Sequence, residues 1–278
     1  MRDLSHNADM SHANRLWVPG TDMGDFAPEA DDQRVDVQQA RLLGRWHSPG
    51  AACSTALELA LGSMAGVPVP DGLFPWAARH ARHLGLKGTH WGLLHLCHWQ
   101  VSNGQVFLRV PDGPAPEALS PLWHELADFV AEAGLTLVPG SGLVALVHGE
   151  PLRDLPTAAW AKVQDRPVGP YLPASPALRR LQSELQMWFY THPLLQGMAR
   201  PINSVWLSGT GALNPELSTW LDRIQWQNPD SQPARGDHWL CANDVQASLW
   251  ELGTAPWLLR LWRRHKPVPR WEPDHELD

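Results

Sequence analysis

Trp91-Gly-Leu-Leu-His-Leu-Cys-His-Trp-Gln-Val-Ser-Asn-Gly-Gln-Val-Phe-Leu-Arg-Val110 is the stretch on which the fold class turns. Gly92 to Val101 reads as a strand, Ser102-Asn103-Gly104 as a turn, and Gln105 to Val110 as the antiparallel partner. Asn-Gly suits such a hairpin because both residues tolerate positive φ. Working outward, Pro116 to Ala133 sets Leu119, Leu122, Leu126, Phe129 and Val130 on one helical stripe, with Gly134 as the stop. Leu135 to Val138 and Leu143 to Val147, separated by Pro139-Gly-Ser-Gly142, read as a second hairpin. The result is a β-β-α-β-β module over about residues 90–148.

Downstream, Leu178, Leu181, Leu185 and Trp188 or Phe189 give an apolar face to a helix from Pro176 to about Thr191, which His192-Pro193 ends. Ile202 to Leu207 is a buried-strand candidate, so a helix–strand unit spans 176–211. Two helical pieces, near Trp239 to Leu252 and Pro256 to Arg264, are expected in a mainly helical C-terminal tail over 236–266. Upstream, helical spacing covers Ser54 to Met64 and Trp76 to Leu84. The expected fold class is α/β (α+β): β-hairpins and a mixed sheet covered by helices, in one domain from 37 to 278. Residues 1–36 read as a flexible acidic leader, with Leu16, Trp17 and Val18 able to dock elsewhere.

Charge is unevenly placed along the chain. Of the net −7, the first 36 residues carry −5, from eight acids against Arg2, Arg15 and Arg34, which leaves about −2 for the body. Such a body is a poor match for nucleic acid, whose binding rests on Lys and Arg neutralising phosphates. The basic run from Arg260 to Arg270 fits the dipole at a helix C-terminus. Cys53, Cys97 and Cys241 are too few and too scattered for a disulfide framework, which fits a reducing cytoplasm. No apolar run of about 18 residues suggests a membrane span. The chain is Trp-rich, with 16 Trp against 2 Tyr and 5 Phe. Trp here reads as amphipathic core filler, with stacking on a ligand as the alternative.

Two clusters invite chemistry. His90, His95, Cys97 and His98 have metal-ligating side chains, but strand alternation splits them between two faces. His95 and Cys97 share one face and His90 and His98 the other, so a divalent-metal site on His95 and Cys97 would need ligands from elsewhere. Ser208-Gly209-Thr210-Gly211 follows a strand, and glycines there allow backbone N–H groups to approach an anion. The dinucleotide and P-loop glycine patterns are both absent, so a tight turn competes with a phosphate loop.

Leu178-Arg-Arg-Leu-Gln-Ser-Glu-Leu-Gln-Met187, Tyr190-Thr-His-Pro193 and Pro201-Ile-Asn-Ser-Val-Trp-Leu-Ser-Gly-Thr-Gly211 resemble a bacterial family. These are the RpfE-type regulatory proteins, described as cofactor-independent phosphoglycerate mutase-like. Trp91 to Val101, Asp71-Gly-Leu-Phe-Pro-Trp-Ala-Ala78 and Leu155-Pro-Thr-Ala158 fit the same pattern, so the resemblance covers roughly residues 45–250. The helix, His-Pro and Gly-x-Gly signature is also similar to the insert module of archaeal-type phosphoglycerate mutases. The resemblance implies a ligand pocket whose polar end is Asn203, Ser204, Trp206, Ser208, Gly209 and Gly211, with His192.

Between His192-Pro193 and Pro201 the chain keeps Arg200 alone, whereas recognition of phosphoglycerate calls for several Arg forks. The expected function is therefore a cytoplasmic regulatory or binding protein without mutase activity, with a small anionic ligand or a protein as partner. The alternative is a metal-dependent phosphoryl-transfer or hydrolytic enzyme using His95 and Cys97.

Overall fold

The computed structural model describes residues 16–18, 40–112, 116–140, 142–226, 238–242 and 244–252. Ten strands and six α-helices in these segments form two five-stranded sheets, an α+β arrangement. No helix among them is long and apolar enough to cross a membrane.

The longest strand of one sheet is β3 (Trp91–Ser102), which turns at Asn103 and Gly104 into β4 (Gln105–Arg109). Both turn residues have positive φ, as an Asn-Gly hairpin requires. After α3 (Ser120–Glu132) come β5 (Thr136–Val138) and β6 (Val144–His148), giving the order β4-β3-β6-β5. Strand β7 (Ser204–Ser208) also pairs antiparallel with β3. Leu93, Leu94 and His95 pair with β6 and β7 alike, so β7 lies on the opposite edge of β3.

Both faces of this sheet are covered. Leu94, Leu96, Val147 and Val205 pack on Leu122, Leu126 and Val130 of α3 and on Leu181, Leu185 and Phe189 of α5 (Pro176–Thr191). Ser175 caps α5, accepting the Leu178 N–H at 3.4 Å, and Pro176 occupies the first helical position where no backbone donor is needed. On the other face Trp91, Leu93 and Leu146 meet Ala77 and Ala81 of α2 (Trp76–His83). Further along, Cys97, Leu108 and Trp206 meet Ala158, Tyr171 and Val163, the last in the single turn α4 (Trp160–Val163). Double coverage explains why residues 91–97 are all buried despite strand alternation.

The second sheet has the order β2-β10-β9-β1-β8 and draws its strands from both ends of the chain. These are β1 (Leu16–Val18), β2 (Ala40–His47), β8 (Gln225–Trp226), β9 (His238–Ala242) and β10 (Gln246–Leu252). Strand β1 runs parallel to both of its neighbours, while β10 pairs antiparallel with β9 and β2. Helices α1 (Ala56–Met64) and α6 (Pro215–Leu221) pack Leu57, Leu61, Leu217 and Leu221 against Leu240 and Ala247.

This sheet corrects the expected helical tail. Trp239 to Leu252 is not a helix but most of the β9–β10 hairpin. Val245, Leu249 and Leu252 have helix-like spacing, yet Leu240 with Ala242 and Ala247 with Leu249 also fit alternation, and short apolar runs suit either period. Pairing with Ala40–His47 decided it, a contact between segments about 200 residues apart. The helix expected over 256–264 lies outside the described residues.

Candidate functional site

The site is built from strand β7, its partner β3, and the segments 71–77 and 155–163 that close over them. At its start Asn203 acts as a side-chain extension of the ladder. Its Oδ1 accepts the Trp99 N–H at 2.6 Å and its Nδ2 donates to the Trp99 carbonyl at 3.0 Å. Its own N–H donates to the Cys97 carbonyl at 3.1 Å. The amide thus mimics a peptide group and prolongs β7 by one pairing step. On the outer edge Gln182 of α5 donates to the Val205 carbonyl at 2.8 Å, and Gln186 donates to the Ser204 hydroxyl at 3.3 Å. Trp206 donates from its indole to the Ala158 carbonyl at 3.0 Å.

Near the strand exit the structure brings two predicted residues together. His95 Nε2 lies 2.8 Å from Ser208 Oγ, and the imidazole stacks on Trp160 with ring centroids 4.8 Å apart. The pair is 6% and 4% exposed, respectively. Burial pulls the His95 pKa down to about 3, so the ring is neutral near neutrality. A neutral imidazole can accept the Ser208 proton, the ground-state geometry of a nucleophile–base pair. With so low a pKa it is a feeble base, and the contact serves to satisfy two buried polar groups.

The Gly-x-Gly turn is occupied by protein. Gly209 has φ 69°, and its carbonyl accepts the Ala77 N–H at 3.2 Å at the start of α2. A Cβ on Gly209 would lie 3.2 Å from Trp76 Cβ, and one on Gly211 would overlap the Leu73 carbonyl oxygen. Between them Thr210 Oγ1 donates to the Leu155 carbonyl at 2.5 Å and meets Thr157 Oγ1 at 3.0 Å. These glycines admit close backbone approach by the 71–77 segment.

His192 does not join this group. It sits beyond α5, where its Nδ1 accepts the Leu194 N–H at 3.2 Å and its ring meets Trp188 edge-on at 4.8 Å. Its Nε2 lies 3.3 Å from Glu125 Oε2 of α3, on the opposite side of the sheet from Ser208.

His95 and Cys97 share a face, as alternation requires, but their surroundings differ from those of metal ligands. The Cys97 thiol is fully buried in an apolar cluster, and burial pushes its pKa up, favouring the protonated form. Among the described residues no three His, Cys, Asp or Glu side chains gather in a way that could hold a metal ion.

Three further polar residues escaped the sequence reading. Glu58 in α1 accepts the Thr55 N–H at 2.7 Å, the Thr55 hydroxyl at 3.1 Å and the Trp76 indole N–H at 2.8 Å. Thr55-x-x-Glu58 before an apolar run is a capping box and was readable as one. Asp71 accepts the Cys53 and Ser54 N–H groups at 3.0 and 2.8 Å. Lys162 lies buried in the turn of α4 and donates to Ser48 Oγ and the Pro49 carbonyl, each at 3.0 Å. Burial lowers its pKa. No local pattern marks Lys162, because its partners lie over 110 residues away.

No protein-family model matches the chain, and no curated protein matches it. Among solved structures it is similar to the cofactor-independent phosphoglycerate mutase from Thermoplasma acidophilum DSM 1728, at 12% identity. That alignment covers 88% of this chain and 91% of the other with a TM-score of 0.34, a likeness that carries neither activity nor substrate across.

Proposed function

We propose that this protein works by binding, as a regulatory or partner-binding protein without mutase activity, and that the segment from Pro201 to Gly211 serves its architecture. The reading rests on one observation: the polar groups at the β7 exit are engaged with the protein itself. Asn203 uses both amide atoms on Trp99, Ser208 faces His95, and Gly211 is closed off by Leu73. An anion approaching the exit would have to displace residues 71–77. The descent from a phosphoglycerate mutase-like insert belongs to the same reading, as does the loss of the Arg forks that its substrate would need.

The deciding experiment is turnover by the purified chain with phosphoglycerate and with a phosphate monoester, each with manganese or zinc added. We expect no turnover, and Ser208→Ala should stay folded with only a modest loss of stability. Metal-dependent turnover that disappears in Ser208→Ala, with an unchanged circular-dichroism spectrum, would overturn the proposal in favour of a hydrolytic or phosphoryl-transfer enzyme. A Gly209→Val variant cannot serve here, because its positive φ and its contact with Trp76 make any larger residue a folding defect.

A further inference from the structure

Helix α2 ends in a turn whose geometry fixes what it shows to solvent. Gly85 has φ 68°, its N–H donates to the Arg82 carbonyl at 3.0 Å, and the Leu86 N–H reaches back to the Ala81 carbonyl at 2.9 Å. This pair of bonds is a Schellman stop. It turns Leu86 onto the cluster of Ala77, Ala81 and Trp91, and it leaves Leu84, the residue before the glycine, 57% exposed. Arg82, His83 and Lys87, which flank Leu84 in the chain, are exposed as well. A stop of this type calls for the glycine and for the apolar residue after it. It does not call for a leucine at position 84.

The charge at this end of α2 is one-sided. No Asp or Glu occurs from Gly72 to Pro111, the longest acid-free run in a chain of net charge −7. Among the described residues, the carboxylate that pairs with the end of α2 is Asp222, which meets Arg82 and lies 3.2 Å from His83 Nε2. Exposed Arg223 adjoins it. Burial, followed by the positive charges of His83 and Arg79, lowers the His80 pKa, so the cations of α2 already crowd one another. Farther along, Glu150 reaches His90 at 3.7 Å and is itself paired with Arg153. Arg82 and His83 in the last turn suit the negative end of the helix dipole. The dipole accounts for neither Leu84 nor Lys87.

We propose that the end of α2, from Arg82 to Lys87, is a docking surface for an acidic segment of a partner protein. Arg82, His83 and Lys87 take its carboxylates, and Leu84 meets an apolar side chain set between them. The inference rests on the binding reading above and gives it a surface and a class of partner. Charge complementarity selects that class, because one Asp222 carboxylate stands against Arg82, Lys87 and the adjoining Arg223. Exposed ion pairs contribute little individually, so the carboxylates steer and orient the segment while burial of Leu84 excludes water at the centre. An apolar residue among cations fits a protein segment better than nucleic acid, whose phosphates offer Leu84 no counterpart.

Fluorescence anisotropy of a labelled peptide of Glu with interspersed Leu, titrated with the full chain at low salt, tests this. Binding is expected, and Lys87→Glu should weaken it about tenfold. Leu84→Ser should weaken it about fivefold. Arg180→Glu, which makes the same charge change on α5, should leave the affinity within about twofold. Lys87 and Leu84 are exposed, so both variants should fold, which circular dichroism checks. No binding by the wild-type chain overturns the surface. Equal affinities of Lys87→Glu and Arg180→Glu overturn it too, since they would report net charge alone. Tighter binding of duplex DNA or of phosphatidylserine vesicles than of the peptide, lost in Lys87→Glu, overturns the protein partner in favour of a phosphate-bearing one. Turnover of a phosphate monoester is scored in its own assay, so the binding reading and this surface fail separately.

Discussion

His95 beside Ser208 and Glu58 beside Trp76 are two buried ionisable groups, and burial acts on their pKa values in opposite senses. The imidazole is pulled down to about 3 and the carboxyl is pushed up to about 7. Both shifts arise because each group loses water around its charged form. The consequence differs. His95 stays neutral throughout the physiological range and behaves as a polar core residue, whereas Glu58 titrates within it. Desolvation alone therefore does not mark a functional group; what matters is where it leaves the titration.

The largest effect that separates the two is acid stability. His95 has a depressed pKa in the folded state, so its contribution is present above its ordinary value of 6.5 and is lost as pH falls towards about 3. The full span is worth at most about 5 kcal/mol. Glu58 opposes it on the other side, with stability lost between 4.5 and about 7, worth about 3 kcal/mol. Between about 4.5 and 6.5 the two slopes cancel. Stability measured by urea unfolding should rise to a plateau there and decline above it. His95→Gln should remove the acid limb and leave the upper one, and loss of both limbs in that single variant would break the comparison.

Next in size is Gly211→Ala. Its Cβ would overlap the Leu73 carbonyl, so the 71–77 segment has to move, and a loss of about 3 kcal/mol or more in unfolding free energy is expected. A variant as stable as the wild type would show that residues 71–77 do not press on Gly211. The smallest effect concerns the far end of the strand. Asn203→Leu keeps the volume but leaves the Trp99 N–H and carbonyl unpaired by side chain, for a loss of about 2 kcal/mol in the same measurement. That loss should not vary with pH, because neither Asn203 nor Trp99 ionises, so it serves as the reference for the other two.

Much of the first sheet was legible in the sequence. The Asn103-Gly104 turn, the leucine stripe of α3 and the Ser175-Pro176 start of α5 are local signals, and each element forms within a few residues of its expected bounds. The site was legible only in part. Alternation placed His95 and Cys97 on one face, but nothing in the spacing told that Ser208 would stand opposite His95 or that His192 would end across the sheet. The strand exit resembled an anion loop because glycines that admit a ligand and glycines that admit another backbone look alike in sequence. Leu73 and Ala77 resolve that ambiguity, and they lie more than 130 residues upstream.

By itself the sequence determined the elements whose periodicity and caps act over one or two turns: the two hairpins, α3, α5 and the capping box of α1. Only the tertiary structure decided that Trp239 to Leu252 would be strands, that Gly211 would press against Leu73, and that Glu58 would be sealed beneath Trp76. Local signals compare conformations of a single segment. These three outcomes depend on which distant segment arrives to share its hydrogen bonds and exclude its water, a choice made by the packing of the whole chain.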